Sequence, residues 1–225
     1  MRWAHPEDGI IAPLDFIPLA EETGQIVAIG RWVLQEACRV GARLQTSGPG
    51  SPGLYIAVNL SVRQLERPEV VSEVREALES SGLAAANLVL EITESVLMTD
   101  IALTVERLQS LKDLGVRLAI DDFGTGYSSL NYLRQFPVDI VKIDRSFIEG
   151  IASNAEQRAL VAMIVDLGRA LGLQPVAEGI ERPDQLRELL AVGCGYGQGY
   201  LFSRAVDLAA LEALLASDRA LLPAA

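Results

Sequence analysis

The sequence predicts an α/β fold, a TIM-like (β/α) barrel in which about six of the eight strands are present. Three observations lead there. Six short segments rich in β-branched or apolar residues alternate with amphipathic helical stretches, the rhythm of repeated β-α units and a parallel sheet. Six strands would also suit an open doubly wound sheet, but the glycine fingerprint of that fold is absent. GCGYGQG at 193–199 precedes and enters a strand, whereas the fingerprint follows a strand and opens a helix. Third, the apolar runs end repeatedly in side chains that titrate or bind metals, as expected where parallel strands converge on one catalytic rim.

Taken in order, the elements read as follows. MRWAHPEDG has no apolar signal-peptide core and reads as the interior of a loop, as though the chain starts part-way through a domain. Pro13–Leu19 reads as a short turn and Gly24–Leu44 as a long helix, followed by a surface loop, TSGPGSPG, at 46–53. The strands are Leu54–Asn59, Leu88–Ile92, Val116–Asp121, Asp139–Ile143, Gln174–Glu178 and Gly197–Phe202. Helices are predicted over Pro68–Ser81, Asp100–Leu114, Gln157–Leu171 and Pro183–Val192, the last with proline near its start. Gly82, Gly115, Gly172 and Gly193 stand where helices should stop. No internal repeat or second domain is evident, so residues 1–225 read as one domain, a barrel with two strands missing from its start.

Composition narrows the function. Half of the 225 residues are hydrophobic, enough for a sizeable core. Thirty acids against 19 Lys and Arg give a formal charge of −11, which argues against a binder of long nucleic acid. A small phosphorylated ligand remains possible if metal ions supply positive charge. The two cysteines, Cys38 and Cys194, form neither a disulfide framework nor a zinc pattern and read as buried thiols in a reducing cytoplasm. No membrane-spanning run of about 18 apolar residues is present. His5, the single histidine, reads as structural, and Trp3 and Trp32 as packing residues.

The strand ends carry Asn59, Glu91, Asp121 with Asp122, Lys142 with Asp144, and Glu178. One acid at a strand end is more often a cap or an ion-pair partner. Several converging on one rim repel one another and need protons or cations, and Lys142 alone cannot neutralise them. Carboxylates with an amide carbonyl suit Mg²⁺ or Mn²⁺ rather than zinc. The adjacent Asp121 and Asp122 would help hold two ions about 3.5–4 Å apart, the arrangement used in phosphodiester hydrolysis.

The segments VNLSVRQL (58–65), EITES (91–95), DDFGTGYSSL (121–130), VKIDRSFI (141–148), AEGIE (177–181) and QGYLFSRA (198–205) together resemble the successive motifs of EAL-domain cyclic di-GMP phosphodiesterases. RWAHPEDG (2–9) and FIPLAEETG (16–24) resemble the family's N-terminal portion. The resemblance implies hydrolysis of cyclic di-GMP to linear pGpG by two-metal, in-line water attack. It implies Asn59, Glu91 and Asp121 as ligands of a first metal, and Asp121 and Asp122 of a second. Lys142 then orients the attacking water, and Glu178 is the general base or a ligand acting through water. Glu181 and Asp144 become supporting acids, with Asp144 near substrate, while Glu94 steadies the DDFGTGYSSL loop. Arg2 and Gln198 become substrate contacts. A homodimer is also implied, and an upstream sensory or GGDEF domain is left open. Two departures stand out. The Glu-Ala-Leu motif, whose glutamate ligates the first metal, would precede Arg2-Trp3 and is not in this sequence, which is read as truncation; by the same resemblance, residues 1–225 are an EAL-type domain missing its first strand and most of its second. Ala205 stands where the family often has proline. The competing readings are a catalytically impaired cyclic di-GMP receptor and a barrel enzyme that stabilises an enolate with Mg²⁺.

Overall fold

The computed structural model of the chain describes residues 1–46, 53–94, 100–125 and 133–216. The opening residues are more ordered than a loop. Trp3–His5 (β1) and Gly9–Ile11 (β2) pair as an antiparallel hairpin. His5 Nδ1 closes its turn by accepting the N–H groups of Glu7 at 3.3 Å and Asp8 at 3.1 Å, the structural role expected of it. Pro13–Glu22 (α1) is a ten-residue helix rather than a short turn. Pro13 sits at its start, where a missing N–H costs nothing, and the Thr23 hydroxyl donates to the Leu19 carbonyl at its end. Helix Ile26–Thr46 (α2) follows. Residues 47–52 of the expected loop lie outside the described residues.

Next come Ile56–Asn59 (β3), Val62–Leu65 (α3), Val70–Ser81 (α4), Leu88–Thr93 (β4), Ile101–Lys112 (α5) and Arg117–Phe123 (β5). Ile140–Ile143 (β6), Arg145–Ile148 (α6), Ala155–Ala170 (α7), Gln174–Ala177 (β7), Pro183–Ala191 (α8) and Leu208–Ala216 (α9) complete the order. Strands β3 to β7 form one parallel sheet in sequence order, with helices described between β3 and β4, β4 and β5, and β6 and β7. All four predicted helix-stop glycines take a positive φ, from 73° at Gly82 to 90° at Gly115. The architecture is the predicted TIM-like barrel, incomplete. Among the described residues no strand pairs with the outer side of β3.

The sixth expected strand contributes a single parallel bridge, Gly197 to Ala177. Its residues instead wrap the turn after β7. Ile180 N–H donates to the Gln198 carbonyl at 3.1 Å, and Leu201 N–H to the Ile180 carbonyl at 2.9 Å. Gly199 lies so close to the Ile180 backbone that any Cβ there would clash. Glycine at this position serves close backbone approach rather than a ladder.

The register sorts the side chains into layers. Asn59 is level with Glu91, and Thr93 with Asp121; Lys142 is level with Val176. Successive residues face opposite sides of a strand, so residues two apart share a face. One layer inside the curved sheet is apolar: Val89, Ala119, Ile140 and Val176 form a cluster of their own. Two residues further along each strand, on the same face, stand Glu91, Asp121, Lys142 and Glu178. Ala57 and Asn59 repeat the step on β3. The opposite faces, with Leu88, Leu90, Ile92, Leu118 and Ile120, pack beneath the helices in the main core.

Candidate active site

The polar layer ends on Lys142, which is 5 % exposed. Its Nζ lies 2.9 Å from Glu91 Oε1, 2.8 Å from Asp121 Oδ1 and 2.7 Å from Glu178 Oε1. Three acids from the ends of three strands thus surround one ammonium. Burial opposes the charge on Lys142, but these carboxylates outweigh it and hold the lysine protonated well above its usual range. The acids are under the opposite pressure. Burial raises Glu178 to about 7, with repulsion from Asp121 and Glu91 adding to it and Lys142 countering. Burial likewise raises Glu91 against the pull of Lys142.

Asp122 joins this group through a local irregularity. In a regular strand its carboxylate would face away from that of Asp121. The β5–β6 register shifts between Ile120 and Phe123, and Asp122 takes a φ of 54°, the one non-glycine residue with positive φ among those described. The bulge turns both carboxylates toward one rim. Ligand oxygens of Asp121, Asp122 and Glu178 all lie within 4.8 Å of one another. Burial, then repulsion from Asp121 and Asp144, raises Asp122. An all-oxygen set with more negative charge than one lysine balances fits a hard divalent cation.

Around this centre, Gln198 Nε2 donates to Glu178 Oε1 at 2.6 Å. Asp144 caps α6, its Oδ1 accepting the Ser146 N–H at 2.9 Å. Burial there is outweighed by hydrogen bonds from Ser146 and Arg145, which keep its carboxyl below the usual range. Glu94, buried at the end of β4, accepts the Gly124 N–H at 2.9 Å just beyond the paired aspartates. This contact anchors the start of the DDFGTGYSSL segment, whose residues 126–130 lie outside the described residues. Asn59 is exposed and shares with Asp121 and Asp122 a cleft of about 650 Å³ walled by α1 and α2. Leu14, Ile17 and Ile29 line that wall. No sequence signal marked it, because α1 was read as a turn.

Arg2 and Glu181 are not drawn into the carboxylate cluster. Glu181 is exposed on the turn before α8. Arg2 donates to the Met1 carbonyl at 2.9 Å and lines a neighbouring cavity of about 600 Å³ with Trp3, Phe16 and Trp32. Met1 borders both spaces.

Fold and rim together define a (β/α)-barrel protein with an acidic cluster that could hold a cation at the C-terminal ends of its strands. An EAL domain model matches residues 1–205, and the chain belongs to the EAL domain family. It is 47 % identical over 219 residues to the cyclic di-GMP phosphodiesterase NbdA of Pseudomonas aeruginosa, covering 97 % of this chain and 28 % of that protein. It is also 47 % identical over 217 residues to the bifunctional diguanylate cyclase/cyclic di-GMP phosphodiesterase MucR of the same organism, covering 96 % of this chain and 31 % of MucR. The chain therefore spans less than a third of the length of either relative. A solved structure of the MucR phosphodiesterase in complex with c-di-GMP superposes with a TM-score of 0.85 at 46 % identity, covering 90 % of this chain and 81 % of that one. The EAL enzyme Bd1971, bound to cAMP and cyclic di-GMP, gives 0.91 at 34 % identity, covering 95 % and 58 %. No helix among the described residues is long and apolar enough to cross a membrane.

Proposed function

We propose that the chain hydrolyses cyclic di-GMP to linear pGpG by in-line attack of water, with two divalent cations, Mg²⁺ or Mn²⁺, in the acidic rim. The observation that carries this is the meeting of Glu91, Asp121 and Glu178 on Lys142, with Asp122 turned in beside them. The names of relatives at 47 % identity support the substrate.

Asp121, Asp122, Glu91, Glu178 and the Asn59 amide would hold the cations. When bound, these supply the charge that offsets the anionic phosphodiester oxygens and favours ionisation of water. The chain's own residues do the rest. Lys142 keeps a fixed positive charge where negative charge develops in the transition state. Glu178, whose carboxyl burial pushes up to about 7 in the metal-free chain, is the general base or a ligand acting through water. Gln198 holds the Glu178 carboxylate and, with Arg2 and Asp144, contacts the substrate. Glu94 and Glu181 support the loops that carry these groups. A homodimer and coupling to a sensory or GGDEF domain belong to the same proposal; MucR's description as a bifunctional cyclase and phosphodiesterase supports the latter.

The test is to incubate the chain, and a form extended upstream to include the Glu-Ala-Leu glutamate, with cyclic di-GMP and Mg²⁺ or Mn²⁺ and to follow linear product by chromatography. Turnover is expected of the extended form, in which Glu178→Ala or Asp121→Asn is expected to abolish it. Binding without turnover by both forms would replace the enzyme reading with that of a receptor.

A further inference from the structure

We infer that Gln185 is a positioning residue for the acidic rim: its buried side-chain amide ties the turn that follows Glu178 to the helix that follows Lys142. This rests on the functional reading above and extends it to a residue outside the carboxylate cluster.

Gln185 lies in the first turn of α8 and is 1 % exposed. Its Oε1 accepts two backbone N–H groups, from Glu181 at 2.9 Å and Arg182 at 2.9 Å. Its Nε2 donates to the Ile148 carbonyl at 3.2 Å. A glutamine three residues into a helix that reaches back to the cap N–H is a common local device. The third bond is not local, for Ile148 belongs to α6. That helix starts directly after Lys142, Ile143 and Asp144. One amide therefore links the two segments that leave the rim from β6 and β7.

The other side-chain bond between these segments is a long, exposed one, from Arg182 Nη2 to the Glu149 carbonyl at 3.4 Å. Glu178 N–H donates to the Ile143 carbonyl at 3.1 Å, at the turn's start. Gly179, with a φ of 68°, sits against the Arg145 side chain with no room for a Cβ. The opposite side is held by the Gly197–Leu201 segment through Ile180. Gln185 fixes the far end. Truncating it would leave the part-buried Glu181 and Arg182 N–H groups without their acceptor, with the penalty of an unsatisfied donor, while the Ile148 carbonyl would keep the Ile151 N–H at 3.3 Å. The turn can escape that penalty only by moving toward water, and Glu178 would move with it. Loss of such an outer support typically lowers metal affinity or activity by about 10–100-fold.

Two variants and two readouts separate positioning from bulk stability. Q185L keeps the volume and removes all three bonds. Q185E keeps the acceptor for both N–H groups and loses the donor to Ile148. Measured on the folded chain, Q185L is expected to speed amide hydrogen exchange at Glu181 and Arg182 by at least about tenfold and to weaken Mn²⁺ binding by about tenfold or more. Q185E is expected to retain slow exchange at those amides and to recover part of the Mn²⁺ affinity. E188A, which removes the outer ion pair of α8 with Arg158, serves as the control and should leave both readouts unchanged. If Q185L does not fold, Q185E decides: fast exchange at Glu181 and Arg182, or Mn²⁺ affinity no different from the unmutated chain, overturns the inference. A folded Q185L with Mn²⁺ affinity within twofold of the unmutated chain overturns it as well. A form extended to include the Glu-Ala-Leu glutamate that binds Mn²⁺ and leaves cyclic di-GMP intact overturns the functional reading alone, since exchange and Mn²⁺ affinity still judge Gln185.

Discussion

Glu178, Glu91 and Asp122 all hold their protons more tightly than an ordinary carboxyl, and burial is the first cause in each. The sign of the resulting pH effect follows from linkage. Between the ordinary value of 4.5 and about 7, the folded chain keeps a proton on Glu178 that the unfolded chain releases. The metal-free protein is therefore expected to lose stability as pH rises through that window. The groups held below their usual range, such as Asp144, act at lower pH and do not offset the trend. A cation that displaces the Glu178 proton reverses it, with affinity rising by up to about tenfold per pH unit below 7. Thermal melts from pH 5 to 7.5 should show a falling Tm in EDTA and a rising Tm in Mn²⁺; parallel curves would count against cation binding at this rim. Much of this was legible at the level of residue type, because strand ends that finish in acids point to one pole. The close ion contacts of Lys142 were not legible, nor was the role of Gln185. Both depend on register and on a turn whose hydrogen bonds no local pattern of apolar residues records.

At the scale of elements, the strands β3 to β7 and the glycine-stopped helices emerge where apolar periodicity places them, with ends displaced by a few residues. Where reading failed, identifiable physics competed. Pro13 and Pro18 made α1 look like a turn, although proline is harmless at a helix start and tolerable once inside at a cost. Segment 197–202 looked like a strand, but its glycines serve contact with Ile180 rather than a ladder. The opposite pole of the sheet carries a different kind of residue. Asp139, just before β6, accepts Lys112 Nζ at 2.7 and 2.9 Å and the Leu118 N–H at 2.8 Å, joining α5, β5 and β6. Asp139→Ala is expected to cost about 1–3 kcal/mol in urea unfolding while leaving cyclic di-GMP turnover per folded molecule unchanged. A comparable loss of turnover would show that the two poles are not independent.

For the molecule as a whole, no strand among the described residues pairs with the outer side of β3. β3 exposes Ala57 and Asn59 on the inner face, beside the cleft between the sheet and helices α1 and α2. An unpaired strand edge invites pairing with another chain. The isolated chain is expected to self-associate at micromolar concentration in analytical ultracentrifugation, and Ala57→Lys to shift it toward monomer. A chain that stays monomeric and melts at a high temperature would refute the expectation.

Lys142 has a consequence for the order of events during assembly. With its ammonium seated among Glu91, Asp121 and Glu178, the rim carries an internal placeholder, and the polypeptide is expected to reach its folded shape before any ion arrives. Loading would then be a late and reversible step. A chelator would silence such a protein without unfolding it, and returning the ion would wake it without a chaperone.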